Sequence, residues 1–255
     1  MAQLPIVTLT TDFGLTDSYV AEMKAVLLSR IPEARLVDVT HGVPPQDVLA
    51  GGFAVERALR AFPPGTVHVV VVDPGVGSQR RVLRVDLHRQ HVLCPDNGLI
   101  TWAWRRLDPG VAYELTWRPA NPSATFHGRD ILAPAAAMLL SDPAAPELAG
   151  PAVDPILLAI TPAANHPAEA EVIHIDHFGN ATTNVPAEAI TAPSPRVIRI
   201  ARRSLGPVRR TYADVAHGEP LALVGSSGLL EIAVRNGNAA AALGLRVGDR
   251  LTFDY

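Results

Sequence analysis

The sequence of 255 residues holds one cysteine, Cys94, and one lysine, Lys24. A single thiol excludes an intrachain disulfide, a cysteine-rich zinc site and an iron–sulfur cluster, and it fits a reducing interior, so a cytoplasmic protein is expected. With so little lysine, a Walker phosphate loop, a Schiff-base mechanism and a kinase strand lysine all lack their central residue. Aromatic residues make up 5% of the chain and neither sign of charge dominates. The formal net charge is −3 and the isoelectric point about 6.3, so no broad positive field invites nucleic acid or an anionic membrane. The first five residues carry no basic region, and the apolar run behind them meets Thr10, Thr11 and Asp12. Neither a signal peptide nor a membrane span is expected.

What the chain does hold is apolar material, 48% of its residues, enough for one large domain or two modest ones. Up to residue 160 it alternates strand-like and helix-like segments. Runs at 6–10, 35–39 and 67–72 read as strands, the last of a kind buried on both faces of a helix-covered parallel sheet. Segments 82–86 and 91–94 read as a following pair of strands. Helical patterns fall at 19–30, 47–61, 98–106 and 131–140. The expected N-terminal domain, residues 1–160, is therefore an α/β sandwich with a largely parallel sheet. A Pro- and Ala-rich stretch from about 141 to 167 suits a linker. Short strand-like pieces beyond it, at 170–176, 196–200, 221–224, 230–234 and 250–253, suggest a smaller β-barrel domain over 168–255.

Five polar clusters fall where strands end, the edge at which open α/β sheets hold ligands. In Thr11-Asp12-Phe13-Gly14 a carboxylate follows the first strand, with Asp17 and Ser18 close behind; it suits either the two hydroxyls of a ribose or an Asx turn capping the next helix. In Asp73-Pro74-Gly75-Val76-Gly77-Ser78-Gln79-Arg80-Arg81 the glycines let backbone approach a ligand. Asp73 and Arg80 can fold back on each other there as an ion pair, although a surface turn with solvated arginines fits the same residues. Pro95-Asp96-Asn97-Gly98 reads as a β-turn. In Thr125-Phe126-His127-Gly128-Arg129-Asp130, His127 either shares a proton with a carboxylate from another strand or is a structural residue of a capping loop. His174-Ile175-Asp176-His177-Phe178-Gly179-Asn180 offers a carboxylate, an aromatic face and an amide to an amine and a heterocycle. It also half-matches a binuclear metallohydrolase pattern, with Val172 in place of the first histidine.

Taken in order, and with Ser226-Ser227-Gly228 and Arg235-Asn236 added, these motifs resemble the S-adenosyl-L-methionine (SAM) hydroxide adenosyltransferases, relatives of fluorinase and chlorinase. The resemblance implies hydrolysis of SAM to adenosine and L-methionine by attack of water or hydroxide at the ribose C5′, without a metal or redox cofactor. It also implies a homotrimer with its sites at subunit interfaces. Water activation would fall to Asp73, Arg80 and His127, and ribose binding to Asp12 with Asp17 or Ser18 near. Asp176 and Ser227 would hold the methionine end, while Phe178, Asn180 and Arg235-Asn236-Gly237 would line the adenine pocket. The halogenating relatives have an aromatic residue in place of Asp73 and lack the histidine, and Gln46 and Val76 depart from fluorinase as well, so halide chemistry is not expected. From the residues alone two rivals stand: a non-catalytic adenosine- or SAM-binding module, and a metal-dependent hydrolase built on His174, Asp176 and His177.

Overall fold

The computed structural model describes residues 4–108, 110–143, 145–191 and 194–255; the first three residues of the N-terminal segment read above lie outside it. The chain forms two compact units, Met1–Leu158 and Ala159–Tyr255.

The first unit is built on one sheet of β1 (Ile6–Thr11), β2 (Arg35–Thr40), β3 (Val67–Val71), β4 (Val82–Leu87), β5 (Gln90–Pro95), β6 (Val111–Glu114) and β7 (Ala152–Val153), in the order β2-β1-β3-β5-β4-β6-β7. The run β2-β1-β3-β5 is parallel, and everything from β5 outward is antiparallel. The sheet is thus partly parallel, and the switch has a local cause. β4 and β5 are joined only by His88 and Arg89, both left-handed (φ 52° and 59°), which is a tight hairpin with no room for a crossover helix.

The alternation of β3 decides the layering. Val67, Val69 and Val71 pack on Met23 and Leu27 of α1 (Tyr19–Arg30) and on Leu139 of α4 (Ala133–Ser141). Val70 and Val72 face the opposite side, where Val55 and Leu59 of α2 (Val48–Ala61) meet Leu99 and Ile100 ahead of α3 (Thr101–Arg106). A strand apolar on both faces is covered on both faces. Asp47 caps α2 by accepting from Ala50 N–H at 2.9 Å. Gly52 lets α2 lie close over the next turn: a Cβ there would sit 2.8 Å from the Leu99 carbonyl oxygen.

The second unit carries β8 (Glu169–Ile175), β9 (Ala181–Pro186), β10 (Val197–Ile200), β11 (Arg203–Ser204), β12 (Pro220–Val224), β13 (Leu229–Val234) and β14 (Arg250–Asp254). They form an all-antiparallel half-barrel sheet in the order β11-β10-β14-β8-β9-β13-β12, and its core includes Val172, Val185, Ile198, Ile232 and Leu251. The short helix α5 (Ala239–Leu243) is capped by Asn238. Five elements had no clear sequence signal: β6, β7, β9, β11 and α5. β7 falls inside the Pro- and Ala-rich stretch expected to be a linker and pairs with β6, so the first part of that stretch belongs to the first sheet. Among the described residues no helix is long and apolar enough to cross a membrane. Burial pushes the Cys94 thiol up to about 12, which leaves it un-ionised and inert.

One buried polar chain runs through the parallel half. Gln90 Nε2 donates to the Leu59 carbonyl (2.7 Å), so its Oε1 accepts from His68 Nε2–H (2.7 Å), and His68 Nδ1 accepts from the Thr8 hydroxyl (2.7 Å). Gln90 fixes a proton on Nε2, and burial, which lowers the His68 pKa to about 4, keeps the ring neutral with Nδ1 free to accept from Thr8. The unfolded chain takes up that proton near pH 6.5 while the folded one refuses it, so stability present above pH 6.5 is lost as pH falls toward 4, by up to about 1.4 kcal/mol per pH unit. Denaturant unfolding of His68→Asn between pH 7 and pH 4 is expected to give a shallower decline than the unmodified protein; an unchanged slope would contradict the neutral-histidine assignment.

Candidate active site

A cleft of about 420 Å³ opens in the first unit where β1 and β3 end, lined among others by Asp12, Phe13, Tyr19, Asp73, Phe126 and His127. Three loops build most of it, and Pro45 and Gln46 of the β2–α2 connection add to its wall. The first leaves β1 at Thr11, whose hydroxyl oxygen accepts Phe13 N–H at 3.2 Å and lies 2.9 Å from His41 Nδ1, while Gly14 N–H donates to the His41 carbonyl at 2.8 Å. Asp12 Oδ2 accepts the backbone N–H of Gln46 at 2.8 Å, and Gln46 is itself left-handed (φ 66°), a conformation seldom taken without such a partner.

The second loop connects β3 to β4. Arg80 Nε donates to Asp73 Oδ1 at 2.6 Å and its Nη2 to Asp73 Oδ2, a bidentate pair with side chains only 9% and 4% exposed. Gly77 is left-handed (φ 79°), and a Cβ there would meet the Ala124 carbonyl oxygen at 2.7 Å, so this loop sits directly against the third. The third loop brings His127, whose Nδ1 lies 3.0 Å from Arg80 Nη2. A guanidinium has only donors, so Nδ1 is the acceptor and the neutral ring carries its proton on Nε2. Burial, then the Arg80 charge, hold His127 below its ordinary value, against an upward pull from Asp73. His127 begins a π-helical turn, Gly128–Leu132, just before α4, where the sequence suggested one helix over 131–140.

Phe13, Tyr19 and Phe126 add an aromatic wall, with ring centroids 5.3–5.9 Å apart and mostly edge to face. Tyr19 and its part in this wall had no local signal, because the three rings come from separate stretches of chain. Asp17 and Ser18 are exposed and do not line the cleft; the Ser18 hydroxyl donates to Glu22 at 2.7 Å.

The remaining expected residues belong to the second unit. Asp176 turns inward on its own loop: Oδ1 accepts the N–H groups of Phe178 (2.9 Å) and Asn180 (2.8 Å), and Oδ2 accepts Asn180 Nδ2 (3.1 Å). Phe178 is left 71% exposed. The same end of the sheet holds the Arg235-Asn236-Gly237 turn, tied in by the bond from Ala240 N–H to the Gly179 carbonyl at 2.9 Å. Arg235 Nη1 donates to the Val215 carbonyl at 2.6 Å. Ser227 lies in the β12–β13 hairpin, at the other end of β13. No group of three His, Cys, Asp or Glu suited to a metal exists among the described residues, so the rival set of His174, Asp176 and His177 is not assembled as a metal centre there.

With this geometry in place, the comparisons decide the family. The SAM hydroxide adenosyltransferase N-terminal domain matches residues 7–149 and its C-terminal domain residues 170–252. The chain belongs to this family. A Thermus thermophilus protein named (R)-S-adenosyl-L-methionine hydrolase is 44% identical over 252 residues, covering 93% of this chain and 95% of that one. A fluorinase from Nocardia brasiliensis is 27% identical, covering 96% and 95%. The crystal structure of an uncharacterized conserved protein from Thermotoga maritima superposes with a TM-score of 0.88 at 34% identity, over 98% of this chain and all of that one.

The charges around the imidazole yield a signed expectation. His127 is expected to titrate below 6.5, and Asp73→Asn to lower it further, because the substitution removes the charge that pulls the value up. A ¹⁵N NMR titration reads both, together with the Nε2–H tautomer. A value at or above 6.5, or a rise in Asp73→Asn, would refute the arrangement.

Proposed function

We propose that the protein hydrolyses the (R) epimer of S-adenosyl-L-methionine to adenosine and L-methionine, with the first-unit cleft as the site of the chemistry. The observation that carries this reading is the Asp73–Arg80–His127 chain in the cleft of a member of this family, whose relatives include a named (R)-S-adenosyl-L-methionine hydrolase. A module that only bound adenosine would have no use for a buried carboxylate, guanidinium and imidazole joined in series.

In the proposed reaction a water oxygen attacks C5′ in line with the sulfonium. The C5′–S bond breaks, its electron pair stays on sulfur as the neutral thioether of methionine, and the water's second proton goes to Asp73 and from there to solvent, while the Arg80 guanidinium keeps its own protons. Asp73 accepts a hydrogen bond from the water, His127 Nε2–H faces it as a donor, and the Arg80 guanidinium stabilises the hydroxide character that develops. An incoming hydroxide and a sulfonium cancel charge as they meet, so the apolar walls of Phe13, Tyr19 and Phe126 favour the reaction by keeping water scarce. Asp12, which lines the cleft, accepts the ribose hydroxyls in this reading. Asp176, Phe178, Asn180, Ser227 and the Arg235-Asn236-Gly237 turn complete the substrate site from the second unit of a neighbouring copy in a homotrimer. A cytoplasmic setting accords with the single cysteine of the sequence.

Turnover in ¹⁸O-labelled water is expected to place label at the 5′-hydroxyl of adenosine, and high chloride to give no halogenated nucleoside; unlabelled adenosine or a haloadenosine as main product would overturn the reading. His127→Ala is expected to lower kcat by about 10²–10⁴-fold. Sedimentation and activity measured across a dilution series test the assembly: full specific activity in a verified monomer would rule out shared sites.

A further inference from the structure

We propose that the Asp96–Asn97 turn braces the β3–β4 loop at both ends, which makes Asp96, Asn97 and Arg81 positioning residues for the reaction; the proposal rests on the functional reading above. Asn97 Nδ2 donates to the carbonyl of Val72, the residue before Asp73, at 2.9 Å. Arg81, the residue after Arg80, gives both Nε (2.8 Å) and Nη2 (2.6 Å) to Asp96 Oδ2. Asp96 N–H returns a bond to the Arg81 carbonyl at 3.0 Å, and Arg80 Nη1 reaches the same carbonyl at 3.3 Å. The two functional side chains of this loop are therefore each flanked by a residue fastened to one turn.

The turn itself is held from behind. Asp96, 2% exposed, accepts Ile156 N–H on Oδ1 at 2.7 Å, and Arg81 Nη2 also donates to the Asp154 carbonyl at 2.9 Å. Gly98 is left-handed (φ 103°), and a Cβ there would sit 2.7 Å from the Leu158 side chain, so the 154–158 segment closes tightly over the turn. A brace of this kind fixes where a carboxylate and a guanidinium point without touching substrate. Freed at either end, the loop lets Arg80 drift from His127, and displacements near 1 Å at a reacting centre cost about a hundredfold in rate.

The bland account of the same contacts is that they hold the fold together, and a double-mutant cycle separates the two. For Asn97→Ala we expect kcat to fall by about tenfold to a hundredfold with KM changed by less than about threefold, and the same substitution in a His127→Ala background to cost less than about threefold more, because a group acting through His127 has little left to position. Melting temperature and circular dichroism report the folded fraction. If Asn97→Ala does not fold, Arg81→Lys stands in for it, since it keeps the charge opposite Asp96 but gives up the two-pronged grip. A folded variant with undiminished kcat, or losses that multiply in the double variant, would overturn the brace while leaving the functional reading intact. Full kcat in His127→Ala would overturn the reading itself and the brace with it.

Discussion

A guanidinium held still between a carboxylate and an imidazole sets the character of the cleft. Arg80 offers more donors than Asp73 alone can use, and the surplus one reaches His127. That one bond fixes the imidazole tautomer, keeps the ring neutral and ties two loops that are 47 residues apart in sequence. A lysine in its place would carry the same charge but has no planar fork, so the three groups would no longer share a geometry. The surrounding devices serve this arrangement: the left-handed Gly77 brings the loop against Ala124, and burial removes the water that would otherwise compete for each donor.

The pairing also changes what Asp73 can do electrostatically. A bare carboxylate about 4 Å from an approaching halide would repel it by roughly 4 kcal/mol at an effective dielectric of 20. With Arg80 bonded to both of its oxygens the charge is locally balanced, and what an anion meets is the field of a dipole. In the mechanism proposed above, selectivity for water over halide then rests on hydrogen-bond chemistry, a carboxylate that accepts and an imidazole that donates, more than on net repulsion.

Sequence reading goes far where the signal is local. The helix at 19–30 and the strands starting at 6, 35 and 82 follow from periodicity and flanking residues, and the Asp73–Arg80 pair is suggested by two opposite charges across a glycine-rich turn. Signals that depend on distant chain segments are silent. β9, with the sequence ATTNVP, is half polar and looks like loop until β8 and β13 pair with it on either side. Pro95-Asp96-Asn97-Gly98 has the composition of an ordinary turn, and nothing in it betrays bonds to Val72 and Arg81. Asp17 and Ser18 show that nearness to Asp12 in sequence is not nearness to the cleft: both side chains are exposed just ahead of α1, whereas Tyr19, the next residue, lines it.

The switch from parallel to antiparallel pairing has a consequence for the order in which the protein assembles. β4 and β5 meet across a two-residue connection, which costs little loop entropy, whereas β1 and β3 come together only after α1, β2 and α2 have been spanned, and β5 reaches β3 only across the β3–β4 loop and β4. The Asp73–Arg80 bridge straddles the seam between these two regimes, with one partner leaving β3 and the other entering β4. A preformed hairpin cannot contain that bridge by itself. The bond from Arg80 to His127 reaches further, to a loop 47 residues along the chain, so the three side chains stand together only in the completed first unit.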